Sequence, residues 1–376
     1  MNIGIVCYPT YGGSGVIATE LGMALAKKGH NVHFITYAAP TRLDIFQPNV
    51  YYHEVSFQNY TLFEHPPYET ALASNIVDVV KYQKLDVVHV HYAIPHASAA
   101  YIAKQILKEQ GIDLKVVTTL HGTDITLVGK LPSYKPVVAF SINKSDCVTT
   151  VSESLRNDTF EHFDVKREIQ VIPNFIDFER FSKSDKDHFK KAIAPNGEKI
   201  LIHVSNFRKV KRVQDVVKVF HRIIKGSVKA KLLLVGDGPE RSPIEQTVRD
   251  LDLCKHVTFL GKQEKVEELL AVSDLFVMPS ESESFGLAAL EAMACEVPVI
   301  SSNTGGIPEI NIHNKTGFLS NVGDVEDMAS HAIKLLQDEE MLATFKQNAL
   351  AQAKTFHIDK ILPIYESCYH NVLKKQ

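Results

Sequence analysis

Residues 279–309 read PSESESFGLAALEAMACEVPVISSNTGGIPE, and the rest of the chain can be organised around them. Glu283 and Glu291 enclose seven residues, SFGLAAL, which begin as a turn and continue as small apolar helix formers. That pattern puts Glu283 on a loop entering a helix and Glu291 about two turns inside it. A helix start offers unpaired N–H groups and the positive end of a dipole to phosphate, while a carboxylate accepts from hydroxyls. The combination suits a phosphorylated sugar. Downstream, GGIPE (305–309) brings a second close approach of backbone. Two isolated glutamates at this spacing would ordinarily be solvated surface, so the flanking segments decide their meaning.

On either side, β-rich apolar runs alternate with helical patterns. The first series is NIGIVCY, a helix over 14–29, NVHFITY, a helix over 67–84, DVVHVHY, a helix over 97–109, KVVTTLH and CVTTVS. It pauses at IQVIPNFIDFERF (169–181), where Pro173 and Asn174 break the pattern, and a charged stretch at 182–199 reads as linker and entry to a second domain. The second series is KILIHVSNF, a helix over 212–225, AKLLLVGDG, a helix over 240–251, VTFLGK, DLFVMPS, the glutamate-bearing helix, VPVISSN and GFLS. Near-continuous apolar strands separated by helices make parallel sheets covered on both faces. The fold class is therefore α/β, two doubly wound Rossmann-like domains at 1–172 and 173–356, with the active site expected in the cleft they face.

Bulk properties agree. At 376 residues the chain exceeds the size of a single core, and 45% hydrophobic with 23% charged residues is ordinary for a globular protein. A net charge of −3 gives no general attraction to nucleic acid or anionic membrane. Cys7, Cys147, Cys254, Cys295 and Cys368 are scattered without a CxxC pair, which argues against structural zinc and for thiols in a reducing compartment. The N-terminus runs directly into a strand without a secretory pattern, and no run approaches 18 apolar residues. A cytoplasmic protein without stable membrane association is expected, and a homo-oligomer is compatible with the sequence.

ESFGLAALE followed by PVISSNTGGIPE resembles the Glu-seven-Glu signature of retaining, nucleotide-sugar-dependent glycosyltransferases of the GT-B type, family four. Other landmarks occur in family order over nearly the whole chain. The resemblance implies a nucleotide-sugar-binding second domain, an acceptor-binding first domain, and a terminal helix, about 357–376, that crosses back to the first. It also implies that Glu291 accepts from ribose hydroxyls and Glu283 from a donor-sugar hydroxyl. Ser284 and the backbone N–H groups of Phe285, Gly286 and Leu287 would line sugar and phosphate.

CYPTYGGSGVIATELG (7–22) follows a strand and opens a helix, and Gly13, Gly15 and Ala18 fit the GxGxxA dinucleotide fingerprint. The second strand ends HFITYAAP without the acidic residue that would hold a ribose, and Arg42 leaves NADP formally open. The alternatives are a backbone approach to a donor diphosphate or simply a tight strand-to-helix turn. In TLHGTD (119–124), His121 follows a buried strand, Gly122 removes bulk beside it, and Asp124 could orient the ring or cap the next segment. By resemblance, His121 contacts the donor sugar near C6. SNFRKVKR (205–212) gives four cations in five positions, Arg208, Lys209, Lys211 and Arg212, after a strand end. Cations there can neutralise a departing diphosphate. Lys211 matches the family's diphosphate lysine; the partner arginine of many relatives is replaced by Asn206, leaving Arg208 as substitute. GDGPE (236–240) resembles the nucleotide-side loop, and LGK, ending in Lys262, the loop that meets the base.

The opening glycine loop with HVHYAIPHA, TTLHGTD, TVSESL, VIPNFID and SNFRKVKR is similar to the subfamily that joins N-acetylglucosamine from UDP-GlcNAc to the hydroxyl of L-malate in bacillithiol biosynthesis. Candidates for a small dicarboxylate are Ser14, Tyr92, Thr119 and Arg208. The catalytic set is then His121, Arg208, Lys211 and Glu283. No first-domain carboxylate stands out as a covalent nucleophile, so front-face transfer is expected, and with two cations at hand no metal or other cofactor is expected. The rival readings are a transferase of the same fold acting on a glycan or lipid, and a two-lobed binding protein, whose usual export signal is missing.

Overall fold

The structure, a computed structural model, describes residues 1–10, 12–56, 67–183 and 187–374. The chain divides into two compact units, one formed by Met1–Asn174 with the chain from Ile358 onward, the other by Phe175–His357. The charged stretch at 182–199 lies wholly in the second unit. It carries the helix Asp187–Ile193, and Lys190 Nζ reaches Asp274 Oδ1 at 3.2 Å; residues 184–186 lie outside the described residues.

Among the described residues the first unit carries seven parallel strands: β1 (Asn2–Val6), β2 (Asn31–Thr36), β3 (Val50–Glu54), β4 (Val87–His91), β5 (Lys115–Leu120), β6 (Cys147–Thr150) and β7 (Ile169–Val171). Their order is β3-β2-β1-β4-β5-β6-β7. The second carries six: β8 (Lys199–Val204), β9 (Ala230–Val235), β10 (Val257–Gly261), β11 (Leu275–Met278), β12 (Val299–Ser302) and β13 (Gly317–Ser320), ordered β10-β9-β8-β11-β12-β13. Nearly every residue of β1, β4 and β5 is buried, as strands covered by helices on both faces must be. Strand order reverses between β1 and β4 in one sheet and between β8 and β11 in the other. At such a switch point two loops leave in opposite directions and open a crevice at the strands' C-terminal edge.

Sequence patterning misses the two edge strands of the first sheet. β3 (VYYHE) buries only Val50 and exposes Tyr51 and Glu54, so it lacks a continuous apolar run, and β7 is three residues long just before the Pro173 break. The terminal helical stretch is interrupted once. The helix Glu339–Ala353 gives way to a 3-10 turn at Lys354–Phe356, and Ile358–Lys374 then runs on with Pro363 inside it. The break falls at 354–357, and residues 375 and 376 lie outside the described residues. Tyr365, Cys368 and Tyr369 of this last helix are buried in the first unit, and Tyr369 Oη lies 2.8 Å from His89 Nδ1. No helix of the described residues is long and apolar enough to cross a membrane.

Candidate active site

The second unit's switch point gathers the strongest candidates. The loop after β11 carries Glu283 and the loop after β8 carries Lys211, and Lys211 Nζ donates to Glu283 Oε1 at 2.6 Å. The two side chains keep only 22% and 13% exposure, so the pair is shielded but still open to solvent on one side. Ser280 Oγ donates to the same carboxylate oxygen at 2.8 Å, and Glu281 N–H bonds Val210 O at 2.8 Å, which ties the two loops together. The glycine turn of GGIPE supports them from β12. Gly306 N–H donates to Glu283 O at 2.9 Å, and Gly305, at φ +56°, would bring a Cβ within 2.0 Å of that oxygen. Only glycine fits there.

Gly286, at φ +96°, caps the helix Leu287–Ala294. Because the helix begins there, Glu291 lies just over one turn inside it instead of two, and it is 8% exposed. Ala289 N–H already bonds Gly286 O at 3.0 Å, which leaves Leu287 and Ala288 as the first-turn N–H groups with no intrahelical acceptor, and no acidic side chain lies in that turn. Phe285 is buried and meets Phe356 edge-on at 5.7 Å, fixing the loop that carries Ser284 into the helix.

Of the four clustered cations, Arg208 and Lys209 are exposed, Lys211 faces Glu283, and Arg212 is turned away. Arg212 adopts a left-handed backbone (φ +50°) and closes on Asp215 at 2.6 Å, so it belongs to the start of the helix Val213–Lys225 and not to the charge cluster. The GDGPE loop has a packing reason for its glycines. A Cβ on Gly236 would lie 1.8 Å from Ser205 O and one on Gly238 2.6 Å from Phe207 O. Gly236 N–H bonds Gly261 O at 2.8 Å, holding the turn before the exposed Lys262 at the same strand edge.

At the first unit's switch point, Ser14 Oγ and Tyr92 Oη lie 2.6 Å apart. Tyr92 holds φ +87°, a backbone strain for a bulky side chain that the packed surroundings maintain. Gly13 opens the helix Gly13–Lys27, whose first turn has neither a capping side chain nor an acidic residue. Gly15, expected as a ligand contact, is buried instead: a Cβ there would lie 2.4 Å from Tyr8 O, so its glycine serves the close seating of the helix on the loop.

His121 does not lean on Asp124. Its Nε2 lies 2.7 Å from His91 Nδ1, and its ring is 5.3 Å from that of Tyr92. Burial, with His96 nearby, pushes the His121 pKa down to about 3, so the ring is neutral at physiological pH. Asp124 instead clamps the loops after β4 and β5, accepting from Ala93 N–H at 2.8 Å and Gly122 N–H at 3.1 Å. Burial raises its pKa to about 6 against the pull of those N–H groups. Thr119, expected to meet an acceptor, is 1% exposed with its hydroxyl held at 2.6 Å by both His89 Nε2 and Thr149 Oγ1. It is an interior residue. The sequence reading overlooked His91, whose signal is HVH: His89 and His91 alternate onto one face of β4. It also overlooked Ser280, which no pattern distinguishes from an ordinary loop serine.

Residues 184–352 match the family model described as glycosyl transferases group 1, and residues 11–180 that of glycosyltransferase family 4. The chain is 51% identical to an N-acetyl-alpha-D-glucosaminyl L-malate synthase of Bacillus anthracis over 100% of this chain and 98% of that one. Among solved structures, Anabaena HepE in complex with UDP-glucose superposes with a TM-score of 0.84 at 20% identity, covering 99% of this chain and 100% of that one. Sucrose-phosphate synthase from Thermosynechococcus elongatus gives 0.83 at 21% identity and covers both chains fully. These two structural likenesses speak for the two-sheet Rossmann-like fold.

Proposed function

The chain belongs to glycosyltransferase family 4, and from that premise we propose that it moves N-acetylglucosamine from UDP-GlcNAc to the hydroxyl of L-malate, with retention at the anomeric carbon, as the first step of bacillithiol biosynthesis. The observation that carries the substrate assignment is the 51% identity, end to end, with the Bacillus anthracis L-malate synthase. The Lys211–Glu283 pair at a switch point is the chemistry such a reaction needs.

In this reading the second unit holds the donor. Glu283, kept in place by Ser280, accepts from a sugar hydroxyl, and Glu291 accepts from the ribose. The N–H groups of Phe285, Gly286 and Leu287 and the cations Lys211 and Arg208 receive the diphosphate, with Lys262 toward the nucleotide. The first unit receives the acceptor: the uncapped start of the helix Gly13–Lys27 and the Ser14 and Tyr92 hydroxyls match a small dicarboxylate. Neutral His121 offers a hydrogen bond to the sugar and no charge.

The acceptor hydroxyl oxygen bonds to the anomeric carbon on the face from which the diphosphate leaves, and the bond between that carbon and the phosphate oxygen breaks. The hydroxyl proton passes to the departing diphosphate. Lys211 and Arg208 stabilise the negative charge as it develops, which is the largest electrostatic demand of the step. No side chain of this protein is required to carry the sugar. The chain's own cations take the place of a metal, so EDTA leaves turnover intact; strict dependence on added Mg²⁺ overturns this. A reducing cytoplasm is the compartment we assign, in keeping with five cysteines scattered along the sequence without a CxxC pair.

The test is UDP release from UDP-GlcNAc across a panel of acceptors. Release that requires L-malate supports the assignment. Release only with sugars or lipids replaces it with a glycan or lipid transferase, and no release with any acceptor returns the chain to a binding role.

A further inference from the structure

His203 lies next to the end of β8, and Ser205 follows two residues later, on the same face of the extended chain. His203 is fully buried, whereas Ser205, at the C-terminal edge of the sheet, keeps part of its surface. The two side chains are joined. His203 Nε2 lies 2.7 Å from Ser205 Oγ, and His203 Nδ1 lies 2.7 Å from Val277 O of β11. The main chain of Ser205 is fixed as well: its N–H bonds Val235 O at 3.1 Å, and Gly236 packs so closely that a Cβ there would lie 1.8 Å from Ser205 O.

A backbone carbonyl can only accept, so the His203 proton sits on Nδ1. Burial holds the pKa of this ring down to about 4, so at neutral pH it carries no second proton and Nε2 is a bare acceptor. Ser205 must then be the donor in the bond between them. Its one proton is committed to the interior, and Oγ offers lone pairs to whatever meets it from outside. Turning the hydroxyl toward another acceptor would leave Nε2 buried without a partner, which is costly. An oxygen held in this way repels phosphate oxygens and receives O–H groups. Lys211 and Glu283 both act electrostatically on His203, in opposite senses, so Ser205 stands beside the pair placed above at the sugar end of the donor.

We propose that Ser205 is a further donor-binding residue, whose Oγ accepts from a hydroxyl of the transferred sugar, and that His203 is the positioning residue that keeps the Ser205 proton turned inward. The inference rests on the reading of this chain as a nucleotide-sugar transferase and gives Glu283 a neutral companion for the same task.

Isothermal titration of the full chain with UDP-GlcNAc and with UDP, beside steady-state UDP release, tests this. Ser205→Ala, a one-atom change at a partly exposed residue, is expected to weaken UDP-GlcNAc about three- to tenfold and to raise its KM by the same factor. UDP affinity and the KM for L-malate are expected to stay within about twofold. His203→Asn puts an amide donor where Nδ1 stood, so the bond to Val277 O can persist, and it leaves nothing at the Nε2 position. It is expected to weaken UDP-GlcNAc by a similar factor alone and to add less than about twofold to Ser205→Ala. A His203→Asn loss that is equally large with and without Ser205 overturns the positioning role. Unchanged UDP-GlcNAc affinity in Ser205→Ala, or an equal loss for UDP, overturns the sugar contact. A wild type that binds UDP and not UDP-GlcNAc defeats the nucleotide-sugar reading itself, and the contact falls with it.

Discussion

Replacing Lys211 by Met separates what the Lys211–Glu283 pair does for the fold from what it does for the reaction. The 2.6 Å contact joins groups that retain 22% and 13% of their exposure. A fully buried pair broken on one side costs about 3–5 kcal/mol and an exposed one about 0.2–1 kcal/mol. Intermediate shielding puts Lys211→Met near 2 kcal/mol, because Glu283 keeps the Ser280 hydroxyl and some water. For a unit of this size that lowers the melting temperature by about 4–8 °C. Glu283→Gln keeps the shape and leaves an exposable ammonium, so it should cost less, about 1 kcal/mol. The stability term belongs to the pair, and the double variant is therefore expected to lose less than the sum of the single losses, by about 1 kcal/mol. Catalysis behaves differently. Loss of a group aimed at developing charge costs about 10²–10³ in kcat, and the double variant should not recover any of it. Thermal melts followed by circular dichroism, with UDP release at saturating substrates, read both effects. A Lys211→Met melting temperature within about 1 °C of wild type, or a kcat within about threefold, refutes the argument.

Three further outcomes follow from the same geometry. Burial holds the pKa of His89, His96 and His121 near 3, 4 and 3, so each is neutral in the folded state where the unfolded chain would be protonated. Their stability is fully present above about pH 6.5 and is lost as pH falls toward those values, by about 2 kcal/mol each at pH 5; Asp124, raised to about 6, returns about 1 kcal/mol over the same range. Urea titrations at pH 7 and pH 5 should show the first unit weakening by several kcal/mol, and equal midpoints would contradict this. Gly305→Ala must move the Glu283 carbonyl, 2.0 Å from the new Cβ, and should reduce kcat at least about tenfold with a stability loss of about 1–3 kcal/mol; wild-type turnover would show that the turn does not hold Glu283. Because His121 is already neutral, the KM for L-malate should change less than about twofold between pH 6 and pH 8, and a tenfold rise through pH 6.5 would mean that an imidazolium binds the acceptor.

The sheets were legible because strands buried on both faces announce themselves as continuous apolar runs, and VVHVH or KVVTTL can hardly be anything else. Edge strands have no such constraint, which is why VYYHE was missed. Glu283 and Lys211 stand out through the family signature that their segments resemble, whereas Gly236, Gly238 and Gly305 answer a local demand, backbone packed too close for a Cβ. The length of the lead into the glutamate helix was not legible, since a left-handed Gly286 delays the helix start by a conformation that the letters SFG do not reveal. Thr119 and Arg212 show the complementary error. Each sits at a strand end where ligands are common, yet Thr119 is satisfied by His89 and Thr149 and Arg212 by Asp215, partners 30, 30 and 3 residues away. A sequence shows which groups can bond; only the fold shows which have already done so.

The two candidate clusters differ in the kind of charge they offer, and the difference fits their proposed tasks. Donor chemistry creates negative charge during the reaction, so formal cations there act most strongly when the charge is greatest, in the transition state. The acceptor's carboxylates are charged from the outset and do not react. A buried cation against them would bind ground state and transition state alike. The first unit meets this with partial charges, the N–H groups of a helix start carrying about half a unit of positive charge, two hydroxyls, and histidines kept neutral by burial. Burial of His91 and His121 maintains that neutrality, because an imidazolium at either position would lose its hydration. The histidine pair thus fixes the position of the His121 ring and also its charge.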